Sequence, residues 1–92
     1  MKNYRTYIGI DVAKLTLDYC SVKEDPQIEQ GQILNTQKSV DNFLKTLKKT
    51  GCQMNETLFV FENTGIYSSL LALVLSENSL DYAQVPALEI KR

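Results

Sequence analysis

The sequence of 92 residues contains no histidine. This absence excludes histidine-based catalytic triads, imidazole-ligated zinc sites and imidazole general bases. The chain also lacks a cationic excess, because its 10 Lys+Arg and 11 Asp+Glu residues give a net charge of −1. A broad basic surface is therefore not expected, and any DNA that the protein acts on must be held mainly by other segments or other chains.

Cysteine is scarce, and the two that are present are not spaced as a CxxC pair or a metal knuckle. We expect Cys20 to be buried in a strand as a small apolar residue and Cys52 to lie in a loop. No signal-type apolar segment follows the first residues, and the longest apolar run, 70–75, is too short to span a bilayer. The sequence predicts one cytoplasmic domain with no membrane partner.

Apolar patterning predicts three strands, then a helix, a strand, a second helix and a fifth strand. The predicted strands are 4–11, 15–22, 28–35, 58–62 and 82–85. The first predicted helix begins at a Ser39 cap, ends at Gly51 and has an apolar face at Val40, Phe43, Leu44 and Leu47. The second covers 66–77 and ends at Asn78, with a predicted apolar face at Ile66, Leu70, Leu73 and Val74. Residues 87–92 suggest the opening of a third helix.

Short connections between the first three strands favour an antiparallel meander, and strands joined through a helix return parallel with a right-handed crossover. The prediction is an α/β fold with a mixed five-stranded sheet in the order 3-2-1-4-5. Asp11 and Glu62 each follow an apolar run, so both carboxylates are expected at the carboxyl ends of adjacent parallel strands.

Two carboxylates at that edge suit a divalent cation such as Mg²⁺, since carboxylates beside buried segments are normally paired or bound to a cation. Other interpretations remain open. Asp11 also fits a turn-forming residue after a strand, and Glu62 also fits a residue that favours the N-terminus of the following helix. Asp18 fits the polar face of a hairpin strand better than a metal ligand.

Several segments resemble one protein family. Gly9-Ile10-Asp11-Val12-Ala13-Lys14, Leu17-Asp18, Asn35-Thr36 and Glu62-Asn63-Thr64-Gly65-Ile66-Tyr67 are similar to the amino-terminal part of DEDD-type, RuvC-like insertion-sequence transposases and related site-specific DNA invertases. Val85-Pro86-Ala87 and Ile90-Lys91 resemble the next segment of that family. Asn63 departs from the pattern, because the family often carries alanine there.

The resemblance implies a ribonuclease H-like fold and a DNA transposase or recombinase that cleaves and transfers strands with Mg²⁺ or Mn²⁺. It implies that Asp11 and Glu62 are the first two acidic residues of the DEDD set. It also implies that the full-length protein acts as a homo-oligomer with a structured guide RNA. By the same resemblance, residues 1–92 are the amino-terminal part of the catalytic domain. The two aspartates and the serine that complete the family's site lie beyond Arg92, so the 92 residues alone are expected to bind metal weakly and cleave no DNA.

Two alternatives stay open. An actin-like ATPase shares the Gly-Ile-Asp strand end, although Val12-Ala13-Lys14 supplies neither the glycine nor the hydroxyl residues that contact phosphate there. A non-catalytic module that binds RNA or a protein partner is the other, because one fold supports many functions.

Overall fold

The first strands form an antiparallel meander on one side of the sheet. The computed structural model describes residues 3–21 and 30–86, in which β1 covers Thr6–Val12, β2 covers Thr16–Ser21 and β3 covers Gly31–Leu34. Both β1–β2 and β2–β3 pair antiparallel. The turn between β1 and β2 is short and closes with a 2.9 Å hydrogen bond from the backbone N–H of residue 13 to the carbonyl of residue 16.

The rest of the described chain adds two parallel strands through helical crossovers. Helix α1 covers Gln37–Lys49 and leads through a short 3-10 helix, Met54–Glu56, into β4 at Thr57–Asn63. Helix α2 covers Ile66–Glu77 and returns the chain to β5 at Asp81–Pro86. The strand order is β3-β2-β1-β4-β5, with β1 parallel to β4 and β4 parallel to β5. The predicted mixed sheet and its order are confirmed, and they are consistent with a ribonuclease H-like fold.

The core lies between the sheet and both described helices. Along β1 and along β4 up to Phe61, every second residue is buried under α1 and α2. Successive side chains of a strand point to opposite faces of the sheet, so a sheet that is covered on one face buries every second residue. The buried apolar residues are Ile8, Ile10, Val12, Leu17, Val40, Phe43, Leu44, Leu47, Phe59, Phe61, Leu71, Val74 and Leu75.

Helix α1 presents the apolar face that its sequence predicts, but the predicted Ser39 cap is wrong. Thr36 is the N-cap, with extended backbone, and its Oγ1 accepts a 3.2 Å hydrogen bond from the Ser39 N–H. Ser39 is therefore inside the first turn and is the donor of that bond. The predicted end is confirmed: Gly51 has φ of 94°, and it donates its N–H to the Lys48 carbonyl at 3.1 Å.

The predicted face of α2 was largely wrong. Ile66 and Leu73 are 79% and 54% exposed, whereas the buried face consists of Ser68, Leu71, Val74 and Leu75. Of the four predicted positions only Val74 is buried, and Leu70 is half-buried. Asn78 is the C-cap, as predicted. In the part of the chain that the structure describes, no helix has the length and apolar character needed to cross a membrane.

Strand β2 corrects the expectation for Cys20. Leu17 is buried and Tyr19 packs on Phe43 with ring centroids 4.4 Å apart. Asp18 and Cys20 alternate with these two residues and therefore project from the other face. Cys20 is consequently exposed, and not buried as predicted. Cys52 lies in a loop, where its Sγ is 3.2 Å from the Thr57 Oγ1. The predicted strand residues 22 and 28–29 and the predicted helix at 87–92 lie outside the described residues.

Candidate active site

Asp11 and Glu62 occupy matching positions at the ends of neighbouring parallel strands. The β1–β4 ladder runs from Thr6–Thr57 to Ile10–Phe61. Asp11 and Glu62 are the next residue on each strand, one step beyond the last pair. Since Ile10 and Phe61 are both buried under the helices, the following residue on each strand projects from the opposite face. The predicted adjacency of these two strand ends is confirmed.

That opposite face carries an open groove of about 710 Å³. None of the described residues lies across it, because α1 and α2 both pack on the other side of the sheet. The groove draws on all the described strands and includes both candidate carboxylates. Its lining residues are Gly9, Ile10, Asp11, Asp18, Tyr19, Cys20, Gln30, Gly31, Gln32, Val60, Phe61, Glu62 and Val85.

A third carboxylate, Asp18, lies in the same groove. It is the direct cross-strand partner of Asp11 in the β1–β2 ladder, and its Oδ1 accepts a 2.8 Å hydrogen bond from Gln32 Nε2 on β3. The described residues that line the groove thus include three acids and neither lysine nor arginine. A phosphodiester in this groove would meet negative charge, so its binding there calls for a cation.

A hydrogen-bonded turn connects β4 to α2. The Asn63 Oδ1 accepts a 3.0 Å hydrogen bond from the Gly65 N–H, and Gly65 has φ of 69°, a conformation that favours glycine. The buried Ser68 accepts from the Thr64 N–H at 3.3 Å and donates to the Gly65 carbonyl at 3.1 Å. These contacts fix the point at which the chain leaves β4, one residue after Glu62. They also give the side chain of Asn63, the family departure, a local structural role.

The donor set at this edge is consistent with a hard divalent cation. Within residues 3–21 and 30–86, no group of three or more His, Cys, Asp or Glu side chains is arranged to hold a metal ion. Mg²⁺, however, is commonly bound through one or two carboxylates, with water and substrate phosphate as its other ligands. Asp11 and Glu62 therefore fit Mg²⁺ or Mn²⁺, whereas a structural zinc site that needs four protein ligands does not fit.

Comparison with known families identifies the chain. A family model described as "Transposase", that of the DEDD-type IS110 transposases, matches residues 8–92. The chain belongs to the DEDD-type IS110 transposase family. No curated protein sequence matches it. Membership of this family implies DNA as the partner, and the sheet order agrees with the ribonuclease H-like fold that the resemblance implies.

The sequence predicted that the ends of β1 and β4 lie side by side, but it did not indicate the contacts of two residues near them. Asp18 is exposed on the polar face of its strand, as predicted, and only the β1–β2 register shows that it lies opposite Asp11. Asn35 was noted only as part of a family motif. Its side-chain contacts join segments far apart in the sequence, so no local pattern around it could have indicated them.

Proposed function

We propose that this transposase catalyses the metal-dependent cleavage and transfer of DNA strands, with Asp11 and Glu62 as catalytic residues that bind Mg²⁺ or Mn²⁺. The observation that carries the proposal is their position one step beyond the last β1–β4 pair, on the face where the groove opens. Carboxyl ends of adjacent parallel strands are the usual binding edge of an open sheet.

The chemistry of the two side chains supports this role. Like charges on neighbouring strands repel each other, and a cation shared between them relieves that repulsion. When bound, the metal would stabilise the negative charge that develops on the scissile phosphate. Asp11 and Glu62 contribute the charge that attracts the cation, and the paired backbones of β1 and β4 hold that charge in a defined place.

The test uses the transposase that carries this chain together with the rest of its catalytic domain. We expect Asp11→Asn and Glu62→Gln each to abolish strand exchange, because the amides keep the side-chain shape and lose the negative charge. Asp41→Asn on α1 makes the same chemical change away from the groove, and its strand exchange should stay near the wild-type rate. Circular dichroism checks that all the variants are folded.

The outcomes separate the proposal from its alternatives. Near-normal strand exchange by a folded Asp11→Asn or Glu62→Gln variant would overturn the catalytic assignment. A non-catalytic binding module predicts that both substitutions are silent. An actin-like ATPase predicts that the chain binds nucleotide, which is measured by calorimetric titration with ATP and Mg²⁺.

The partners follow from the same proposal. With a net charge of −1, the chain offers little electrostatic attraction for DNA, so other segments or partners must supply most of the binding. A structured guide RNA and a homo-oligomeric assembly are the partners that the family resemblance suggests. We place residues 1–92 in the amino-terminal part of the catalytic domain, where Asp11 and Glu62 supply two of its acidic groups.

A further inference from the structure

Asn35 makes three hydrogen bonds to two segments that are distant in sequence. This half-buried residue follows β3, and its backbone N–H donates to the Leu15 carbonyl at 2.9 Å. Its side-chain Nδ2 donates to the Ala13 carbonyl at 2.9 Å and to the Tyr67 carbonyl at 2.9 Å. One residue therefore contacts both the turn between β1 and β2 and the first turn of α2.

Each of these segments follows one of the proposed catalytic carboxylates within a few residues. Ala13 is two residues beyond Asp11, at the end of β1, and Tyr67 is in the first turn of α2, which follows β4 and Glu62. The β1–β4 backbone ladder ends at Ile10–Phe61, before either carboxylate. Beyond that point, the side chain of Asn35 is a hydrogen-bonded bridge between the two chain segments.

The bridge depends on an amide with two donor hydrogens. Both acceptors are backbone carbonyls, so the Nδ2 group has to face them, and the reverse amide orientation would set oxygen against oxygen. An Asn35→Asp substitution would introduce a negative oxygen at the same place. The Asn35 Oδ1 is buried without a hydrogen-bond partner among the described residues. The two donor hydrogens, and not the amide oxygen, therefore explain why an asparagine suits position 35.

We infer that Asn35 is a positioning residue that holds Asp11 and Glu62 in the arrangement needed to share a metal ion. The inference rests on the proposed function. Asn35 does not line the groove, so its effect passes through the Ala13 turn and the start of α2. Groups that hydrogen-bond metal ligands directly change metal affinity or activity by about 10- to 100-fold when substituted, and we expect the lower end of this range for Asn35, which bonds the backbone beside the ligands.

The experiment compares Asn35→Ala with Asn78→Ala in the transposase that carries the whole catalytic domain. Asn78 is a matched control, because its Nδ2 also donates to a backbone carbonyl, that of Val74 at 2.8 Å, but at the opposite end of α2. The first readout is the Mg²⁺ concentration that gives half-maximal DNA cleavage. The second is amide hydrogen exchange at residues 12–16 and 64–69, and thermal unfolding gives the stability of each variant.

We expect Asn35→Ala to raise the required Mg²⁺ concentration about 10-fold or more and to speed exchange in both segments. Asn78→Ala should lose comparable thermal stability and keep the wild-type Mg²⁺ requirement. If the alanine variant does not fold, Asn35→Ser is tested in its place. Serine retains one donor hydrogen, so the Mg²⁺ requirement should rise by a smaller factor.

Two results would count against the inference in different ways. If folded Asn35→Ala has the Mg²⁺ requirement of Asn78→Ala while Asp11→Asn is inactive, the positioning role is overturned and the proposed function stands. If Asp11→Asn and Glu62→Gln cleave DNA normally, the proposed function is overturned, and the positioning role falls with it.

Discussion

Asp11 and Asp18 face each other across the β1–β2 ladder, where two like charges oppose the strand pairing that holds them. The Gln32 amide partly compensates by donating to Asp18. Both carboxylates are exposed, so water and salt also weaken the repulsion. An arrangement that costs folding energy and lies beside Glu62 is typical of a functional site, where local stability is commonly sacrificed.

Removing one of these charges should therefore stabilise the protein in the absence of divalent ions. We expect Asp18→Asn to raise the free energy of unfolding by less than about 1 kcal/mol, because the amide oxygen still accepts from Gln32 while the charge opposite Asp11 is gone. Urea unfolding in the presence of a chelator measures the change. Asp41→Asn is the control and should give no gain; equal or lower stability of Asp18→Asn would contradict the prediction.

Single residues were predictable where the signal was local. Asp11 and Glu62 each follow an apolar strand, so a strand prediction also places their side chains at a strand end. Cys20 was assigned to the wrong face because a lone cysteine in a strand has no preference strong enough to fix the register; its partners Leu17 and Tyr19 decide it. Asn35 was out of reach, since its acceptors are 22 and 32 residues away.

At the scale of elements, α1 and α2 show when periodicity predicts a helix face. The apolar residues of helix α1 recur at helical spacing among polar and charged ones, so the sequence indicates a single apolar face. Helix α2 is apolar around much of its circumference, from Ile66 through the run 70–75, and several rotations bury a similar amount of apolar surface. Ser68 contributes to the choice: its buried hydroxyl has partners in the turn 64–65 and on β5, which fix that side toward the sheet.

The observed rotation of α2 predicts unequal costs for two leucines of the same helix. Leu71 is 1% exposed and Leu73 is 54% exposed. We expect Leu71→Ala to lower the free energy of unfolding by about 2–5 kcal/mol, because it removes buried methyl groups and leaves a cavity. Leu73→Ala should change it by no more than about 0.5 kcal/mol. Chemical denaturation of the pair is the measurement, and similar losses in both variants would contradict the observed orientation.

For the whole molecule, the strand order was predictable because few topologies satisfy short connections and right-handed crossovers. A three-stranded meander followed by two crossovers moving in one direction also puts both described helices on one face. The opposite face then keeps half-buried apolar residues at its centre, among them Leu58, Val60 and Val85, around the acidic groove. The sequence could not predict a cover for this face, since such a cover would be a long-range contact with no local signal.

An apolar sheet face of this kind should make the 92-residue chain self-associate as its concentration rises. Val60→Thr keeps a β-branched side chain in β4 while making the face more polar, so it should weaken association. Leu15→Thr is the control, because Leu15 is 70% exposed in the turn before β2, away from that face. Light scattering across a concentration series measures the effect. A strictly monomeric wild-type chain would contradict the prediction.

The pairing of β1 with β4 also sets the order in which this sheet can fold. The β1–β2 hairpin closes over a few residues, whereas Thr6 and Thr57 are separated by roughly fifty, and contacts between distant residues form late because loop closure costs entropy. On the ribosome, Asp11 and Asp18 can already be opposed before Glu62 has been synthesised. A nascent or partly folded chain therefore carries only one of the two proposed metal ligands, and the second joins it when β4 pairs with β1.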